Sequence, residues 1–543
     1  MTSIDTTADA RGAILDEAHI GDIHGALGTI RRDDVGARDG WRARLMTLLA
    51  ILGPGLIVMV GDNDAGAFGT YTQAGQNYGT TLLWTLPLLI PVLYVNQEMV
   101  LRLGAVTGVG HARLILERFG KFWGAFSVID LFLLNALTIV TEFIGISLAL
   151  EYLGLPREIG IVAAAALIVG AASTGSFQRF ERFALMLVFG SFLLIPVLLW
   201  SHPPVAQIAH DLATPAFPAG AKLGDVMLLV IAIVGTTVAP WQLFFQQSYV
   251  IDKRVTPRFM RYARVDLWLG IVIVIVGAVA MMSFAAAAFA GRPEFGTFQD
   301  AAAVAAGLEK HAGRIAGVCF AVALLDACVI GASAVSLSTA YAIGDVLSLN
   351  HSLHRKPSEA KAFYVVYVGL IFLAAILVLT PGTPLGLLTN AVQTLAGVLL
   401  PSATVFLLLL CNDRAVLGPW INGRWVNLFT SIVVAALVLL SVVLTAAVLF
   451  PDLGDGAILG ILGGGSALAV VAALAFVISR RRSGAEEAVD RSLQASWRMP
   501  ALDTLPPARL TPATRFWMAV LRAYLVLAGG LVLIRIIHLA ISG

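Results

Sequence analysis

The chain has 543 residues, 58% of them hydrophobic and 13% charged, with a mean hydropathy of +0.86; a soluble domain of that size has no way to cover so apolar a surface. The formal net charge is only +2, and the basic residues are spread along the chain, which excludes a nucleic-acid-binding patch. The remaining class is an all-α polytopic membrane protein.

Residues 1–44 are polar and lack the apolar core of a cleavable signal peptide, so they read as a cytoplasmic segment with no folded domain, and the first span directs insertion. Apolar runs of the roughly 20 residues needed to cross a bilayer follow near 46–78, 80–101, 122–150, 159–174 and 183–200. Seven more lie near 224–250, 266–290, 315–343, 362–380, 385–411, 426–450 and 457–479. Residues 480–515, with Pro500, Pro506, Pro507 and Pro512, read as a cytoplasmic linker. The stretch 516–540 carries Arg522, Arg535 and His538; it reads either as a thirteenth span with snorkelling arginines or as an amphipathic helix along the interface.

Charge tests the twelve-span reading independently of hydropathy. Alternate connections carry Arg31, Arg42, Arg102, Lys121, Arg179, Arg254, Arg261, Lys356, Arg414 and Arg480 with many neighbours of like charge, whereas the opposite side carries only Arg157, Lys222, Arg292, Lys310 and Arg314. By the positive-inside rule the rich side, and with it the N-terminus, is cytoplasmic, and the protein belongs in the cell membrane, for a bacterium the inner one.

Two spans are interrupted at matching places, by Val60-Gly61-Asp62-Asn63-Asp64-Ala65-Gly66 and by Gly235-Thr236-Thr237-Val238-Ala239-Pro240. Unwound backbone at membrane depth is tolerated where it lines a cavity and coordinates something. The interrupted spans open consecutive five-helix blocks, 45–200 and 224–411, which enter the membrane from opposite sides because five is odd. This is the arithmetic of a LeuT-like five-plus-five inverted repeat with helices 1 and 6 broken, followed by one to three additional helices, of which 11 and 12 cover 426–479.

Cys319, Cys328 and Cys411 fall inside apolar spans without metal-ligand spacing and read as packing residues. No nucleophile–base pair or phosphate-cradling loop is present, so an enzyme is disfavoured, and His111, His351 and His354 read as solvated loop residues. The two intramembrane acids Asp130 and Asp326 each call for a partner or water.

The runs Gly53-Pro54-Gly55, Asp64-Ala65-Gly66-Ala67-Phe68 and Gln73-Ala74-Gly75 resemble the first helix of Nramp divalent-metal transporters, whose signature there is Asp-Pro-Gly-Asn. Arg102-Leu103-Gly104, Val106-Thr107-Gly108, Thr141-Glu142-Phe143-Ile144-Gly145, Gly235 to Pro240, Gln393 before Pro401, and Asp413-Arg414 extend the resemblance over about residues 45–450. In that family the signature Asp and Asn, a Met sulfur before the helix-6 proline and a backbone carbonyl hold the metal. The Asp survives here as Asp64, but the Asn position is Ala67 and the Met position Ala239. A thioether selects transition metals over hard ions, so its loss resembles the Nramp-related magnesium transporters, which carry Ala-Pro in place of Met-Pro.

The resemblance therefore implies transport of Mg²⁺, with Mn²⁺ as second substrate, as a partly hydrated ion in a wide oxygen-lined site. Asp64 is the central anionic ligand; the carbonyls of Thr236 and Ala239 and the amide of Gln393 complete the set, with Ala67 at the site wall. Asp62, Asn63, Gln242, Trp241 and Glu142 line its surroundings or pathway. The family's titratable His and second helix-3 acid are replaced by Trp241 and by Thr138 or Ile139, which implies weak or absent proton coupling. Glu142 reads either as a proton carrier or as a structural acid bonded between helices. No cofactor is implied, and the transport unit is taken as a monomer whose partners are the cation and the bilayer. The alternatives are a proton-coupled Mn²⁺/Fe²⁺ Nramp-type symporter and a sodium-coupled organic-substrate symporter of the same fold; the latter fits poorly with a carboxylate-lined site.

Overall fold

The computed structural model describes residues 13–382, 385–450, 453–482, 490–494, 497–508 and 510–542. Apart from a small hairpin it is helical. The first repeat contains α1 (Trp41–Ile51), α2 (Pro54–Val60), α3 (Ala65–Tyr78), α4 (Thr85–Thr107), α5 (His111–Phe119), α6 (Lys121–Tyr152), α7 (Arg157–Ala172), α8 (Phe177–Gly190) and α9 (Leu194–Trp200). A short α10 (Val205–Ala213) leads to the second repeat, which contains α11 (Leu223–Thr237), α12 (Pro240–Asp252), α13 (Met260–Phe289), α14 (Ala301–Ala312), α15 (Arg314–Leu347), α16 (Lys361–Leu379) and α17 (Leu385–Cys411). Then come α18 (Arg414–Leu417), α19 (Arg424–Leu449), α20 (Asp455–Arg482) and α21 (Pro512–Ser542).

Among the described residues nine helices or continuous helix pairs are long and apolar enough to cross a membrane, and two bent pairs, one formed by α1 and α2, raise that to eleven. Every run read from the sequence falls on one of these helices or on the 16-residue α7. Both interrupted spans are broken as expected, between α2 and α3 and between α11 and α12. The first run differs in detail, because α1 meets α2 at 50°. The bend sits at Gly53, whose φ of +151° and close approach to the Glu181 carboxylate leave no space for a side chain.

The N-terminal segment departs from expectation. Ile23–Gly25 and Gly28–Ile30 pair as an antiparallel hairpin, with Ile23 opposite Ile30, and a 3-10 turn at Glu17–His19 precedes it. Ala13, Ile23, Ala26 and Ile30 are buried under the bundle. Three-residue strands carry too little alternation to be read from sequence; the contacts that stabilise them are all tertiary.

The last helix, α21, packs along α17 and α19, and Tyr524 Oη reaches Ser441 Oγ at 2.7 Å and Thr445 Oγ1 at 3.2 Å. Parts of the linker before it are seated on the bundle: Trp420 donates to the Gln494 carbonyl at 2.8 Å, and Arg118 to the Pro506 carbonyl at 2.6 Å.

Candidate ion site between the broken helices

The connection from α2 to α3 is Gly61, Asp62, Asn63 and Asp64, and all three polar side chains are buried. Asp64 caps α3: its Oδ1 accepts the Ala67 N–H at 3.0 Å. Glu142 of α6 adds a second acceptor there, with Oε2 receiving the Ala65 N–H at 3.2 Å, while its buried Oε1 has no partner among the described residues. Two carboxylates thus converge where the first amides of a helix are free and its dipole is positive. Asp62 is tied to the other repeat, since its Oδ1 accepts from Gln242 Nε2 of α12. Gln242 Oε1 in turn accepts from Gln97 Nε2 of α4 at 2.9 Å, a residue that the sequence reading passed over inside an apolar run. Asp62 Oδ2 and Gln97 Oε1 are buried acceptors without a partner among the described residues. Asn63 Nδ2 donates to the Val274 carbonyl of α13 at 3.3 Å.

The second break has a local cause. Pro240 opens α12 at a position that needs no N–H, and its missing donor leaves the Thr236 carbonyl without its helical partner. The Thr237 carbonyl accepts from Gln242 Nε2 at 3.4 Å, the Ala239 carbonyl from the Gln242 N–H at 3.3 Å, and Thr237 Oγ1 bonds Tyr71 Oη of α3 at 2.7 Å.

The two breaks meet. A methyl placed on Gly66 would stand 3.2 Å from Asp64 Oδ1 and 3.5 Å from Thr236 Oγ1, and one on Gly331 of α15 would stand 3.0 Å from the Glu142 carboxylate and 3.2 Å from Asp64 Cβ. Asp64, Glu142 and Thr236 are therefore neighbours. Ala67 is fully buried with its N–H engaged by Asp64, so it contributes only a methyl wall; Ala239 is half-buried, with its carbonyl taken by the Gln242 N–H. Trp241 is buried, and its carbonyl accepts from Ser338 Oγ at 2.9 Å. The side chain of Gln393, in α17, lies outside the described residues. Asp130 reaches Ser402 Oγ at 3.4 Å. Among the described residues no three His, Cys, Asp or Glu side chains form a ligand cluster.

The two sides of the site differ in access. Every residue of α2 and of α12 is buried, whereas Ala65, Gly66, Gly235, Thr236 and Ala239 are half-buried. The arginine-rich side is shut by a polar lock. Lys253 and Glu181, both completely buried, pair at 2.7 Å; Lys253 Nζ also donates to the Leu52 carbonyl at 2.8 Å, and the hairpin residue Ala26 donates its N–H to Glu181 Oε2 at 2.6 Å. Asp266 of α13 accepts the N–H groups of Gly53 at 2.9 Å and Gly55 at 2.6 Å, holding the start of α2.

Over this lies the N-terminal segment. Asp16 binds Arg355 at 2.6 Å and the His351 N–H at 2.9 Å, Arg254 donates to the Ala18 carbonyl, and His19 lies 3.6 Å from Asp252. Burial opposes ionisation of Asp16, but the Arg355 bond and the Ala18 and His351 amides outweigh it and hold the carboxyl below its usual range. Burial also pushes the His351 imidazole down, yet Asp345 at 3.1 Å prevails and raises it to about 9; for His19 burial prevails and the imidazole is lowered. The expectation of solvated histidines fails here. His351 and His111 are buried, the latter bonded to Gln247 at 3.0 Å, and His354 reaches the Asp252 carbonyl at 3.1 Å, because the connections that carry them fold back under the helix ends.

Residues 55–447 match the family model described as natural resistance-associated macrophage protein-like, Nramp. The chain is 26% identical over 416 residues to the divalent metal cation transporter MntH of Pectobacterium carotovorum, covering 73% of this chain and 94% of that protein. It is 31% identical over 400 residues to the MntH of Ralstonia nicotianae, covering 69% and 86%. Among solved structures, the Eremococcus coleocola manganese transporter in complex with an aromatic bis-isothiourea substituted compound superposes with a TM-score of 0.62 at 20% identity, covering 83% of this chain and 98% of that one, a likeness of fold.

Proposed function

This chain belongs to the Nramp family, and on that premise we propose that it is a membrane transporter of divalent metal cations whose principal cargo is Mg²⁺, with Mn²⁺ as a second substrate. The observation that carries the reading is the donor set. Where a transition-metal site would present a thioether and an amide, Ala239 and Ala67 present methyl groups, and the groups beside Asp64 are the Glu142 carboxylate and Thr236 Oγ1, with the Cys328 thiol next to Glu142 as the one nearby sulfur among the described residues. Mg²⁺ sheds water reluctantly and is usually held through one or two carboxylates. A space widened by two alanines suits an ion that keeps part of its shell.

Asp64 supplies the fixed negative charge and the half-helix ends supply carbonyls, while Asp62, bridged to Gln242, stands on the route toward the arginine-rich side. The half-buried faces of α3 and α11 against the fully buried α2 and α12 support entry from the arginine-poor side, followed by release on the other once the lock opens. Proton coupling is weak in this reading, since Trp241 cannot titrate and Glu142 is engaged as a helix-capping acceptor. A proton-coupled Mn²⁺ or Fe²⁺ symporter is the second reading, favoured by the closeness of Glu142 to Asp64.

The test is uptake of Mg²⁺, Mn²⁺ and Ca²⁺ into proteoliposomes, beside an Asp64→Ala variant and with an internal pH dye. Mg²⁺ entry that vanishes in the variant without matching acidification is the expected result. Mn²⁺ entry without Mg²⁺ would overturn the cargo, and acidification in step with metal entry would overturn the coupling.

A further inference from the structure

At the arginine-rich end of α6 and α21, away from the broken helices, lies a groove of about 330 Å³. One wall is Phe119 and Trp123; the other is a stripe of α21, Arg515, Met518, Ala519 and Arg522, at the spacing of one helix face. Their α-carbons lie two turns apart on one face, about 10 Å along the axis, a span that two long arginine side chains can close onto one anion. Arg522 lies 3.6 Å over the ring of Phe122, which covers one of its faces and leaves its N–H edge free. Both arginines are exposed, and among the described residues neither has a carboxylate partner. By contrast Arg118 nearby is fully used, bonded to Asp413 at 2.6 Å and to the Pro506 carbonyl.

Below the guanidiniums the surface is apolar. Phe122, Phe126, Ile129 and Leu133 form one stripe down α6; the two rings stack with centroids 5.9 Å apart, and Ile129 and Leu133 are 60% and 45% exposed. On α21, Val526, one turn beyond Arg522, is 53% exposed. A pair of unpaired cations at the membrane's basic face, continuous with an apolar track running toward its centre, matches both halves of a phospholipid. A soluble anion would use only the first.

We propose that this groove binds one anionic phospholipid, its phosphate held by Arg515 and Arg522 and an acyl chain lying along Ile129 and Leu133. Guanidinium forks suit the phosphate oxygens, and the neighbouring aromatics suit the headgroup level. Since α21 packs on α17 and α6 carries Glu142, the lipid would bridge the last helix to the transport core. The assignment stands on the groove alone and does not depend on which metal is carried.

The test is native mass spectrometry of the purified full-length protein equilibrated with equal amounts of phosphatidylglycerol and phosphatidylcholine. The wild type is expected to retain one phosphatidylglycerol with about tenfold preference. Arg515→Ala combined with Arg522→Ala is expected to remove that preference, whereas Arg261→Ala, an exposed arginine elsewhere on the same side, keeps it. Ala519→Trp fills the groove, leaves both cations in place and is expected to lose the lipid as well, which separates the site from bulk charge; thermal midpoints of all variants check folding. Equal retention in the wild type and the double variant, undiminished retention in Ala519→Trp, or displacement of the lipid by millimolar inorganic phosphate would each overturn the proposal, the last by assigning the site to a free anion.

Discussion

Glu142 Oε2 receives the N–H of Ala65 at 3.2 Å, so a carboxylate of α6 caps α3, the half-helix that begins immediately after Asp64. A glutamine retains an acceptor oxygen at that point and a methyl does not. Glu142→Gln is therefore expected to keep Mg²⁺ uptake within about threefold of wild type, whereas Glu142→Ala loses about 1 kcal/mol of capping and lowers uptake further. Proteoliposome flux measured beside the thermal midpoint separates the two. Abolished uptake in the glutamine variant would instead make the residue a proton carrier.

Returning a sulfur to the site should return softness. Ala239→Met places a thioether at the second break, and the expected outcome is a rise of about tenfold in the Mn²⁺ to Mg²⁺ uptake ratio, equivalent to about 1.4 kcal/mol. Competition between the two ions at fixed membrane potential reads it directly.

The bond between Asp16 and Arg355 fastens the N-terminal segment over the buried ends of α2 and α12. A bond to a charged group contributes roughly 1.5–3 kcal/mol. Asp16→Ala is thus expected to raise at least tenfold the rate at which a water-soluble thiol reagent reaches a cysteine introduced at Val58, in a background lacking the three native cysteines. An unchanged rate would mean that the segment rests on the bundle without restraining it.

His351 makes the same closure pH-dependent. Its imidazole, faced by Asp345, Asp16, His19 and Asp252, is raised to about 9 from an ordinary 6.5. The stabilisation is complete below pH 6.5 and is lost as pH rises through 9; at full strength it is roughly 3 kcal/mol. His19, lowered by burial, works in the opposite sense and weakens the seat as pH falls below 6.5. The gap in thermal midpoint between wild type and His351→Gln should therefore be widest at and below pH 6.5, where the His19 effect is common to both proteins, and close toward pH 9.5.

Lys253→Met strands the Glu181 carboxylate in a fully buried site, and a loss of about 3–5 kcal/mol is expected. Adding Glu181→Leu should recover most of that stability while leaving Ala26 without its acceptor, so the hairpin stays loose although the bundle is firm. Midpoints from denaturant titrations and limited proteolysis near residue 26 report the two effects separately.

The breaks were legible because each interrupts an apolar run with residues that helices in lipid reject: Asp62, Asn63 and Asp64 in one, Pro240 in the other. The bend at Gly53 was not, since a glycine before a proline is compatible with an unbroken first turn until Glu181 and Asp266 are seen against it. Gln97 hid inside an apolar run, and its bond to Gln242 depends on the packing of α4 against α12. The hairpin and the burial of His351 were out of reach for the same reason, because the segments that cover them lie 155 and 335 positions away, at Glu181 and Asp16. Sequence revealed the places where local rules are violated; what compensates each violation required coordinates.

Asp266 reaches from the second repeat to grip the first turn of α2 by the N–H groups of Gly53 and Gly55, with that of Leu56 at 3.4 Å. A swing of α2 alone would strip the turn of this anion and cost several kcal/mol. The economical motion carries α2 and α13 together as one lever, so the hinges of this transporter belong at the ends of that pair, and a crosslink between α2 and α13 should leave turnover intact while one between α2 and α8 arrests it.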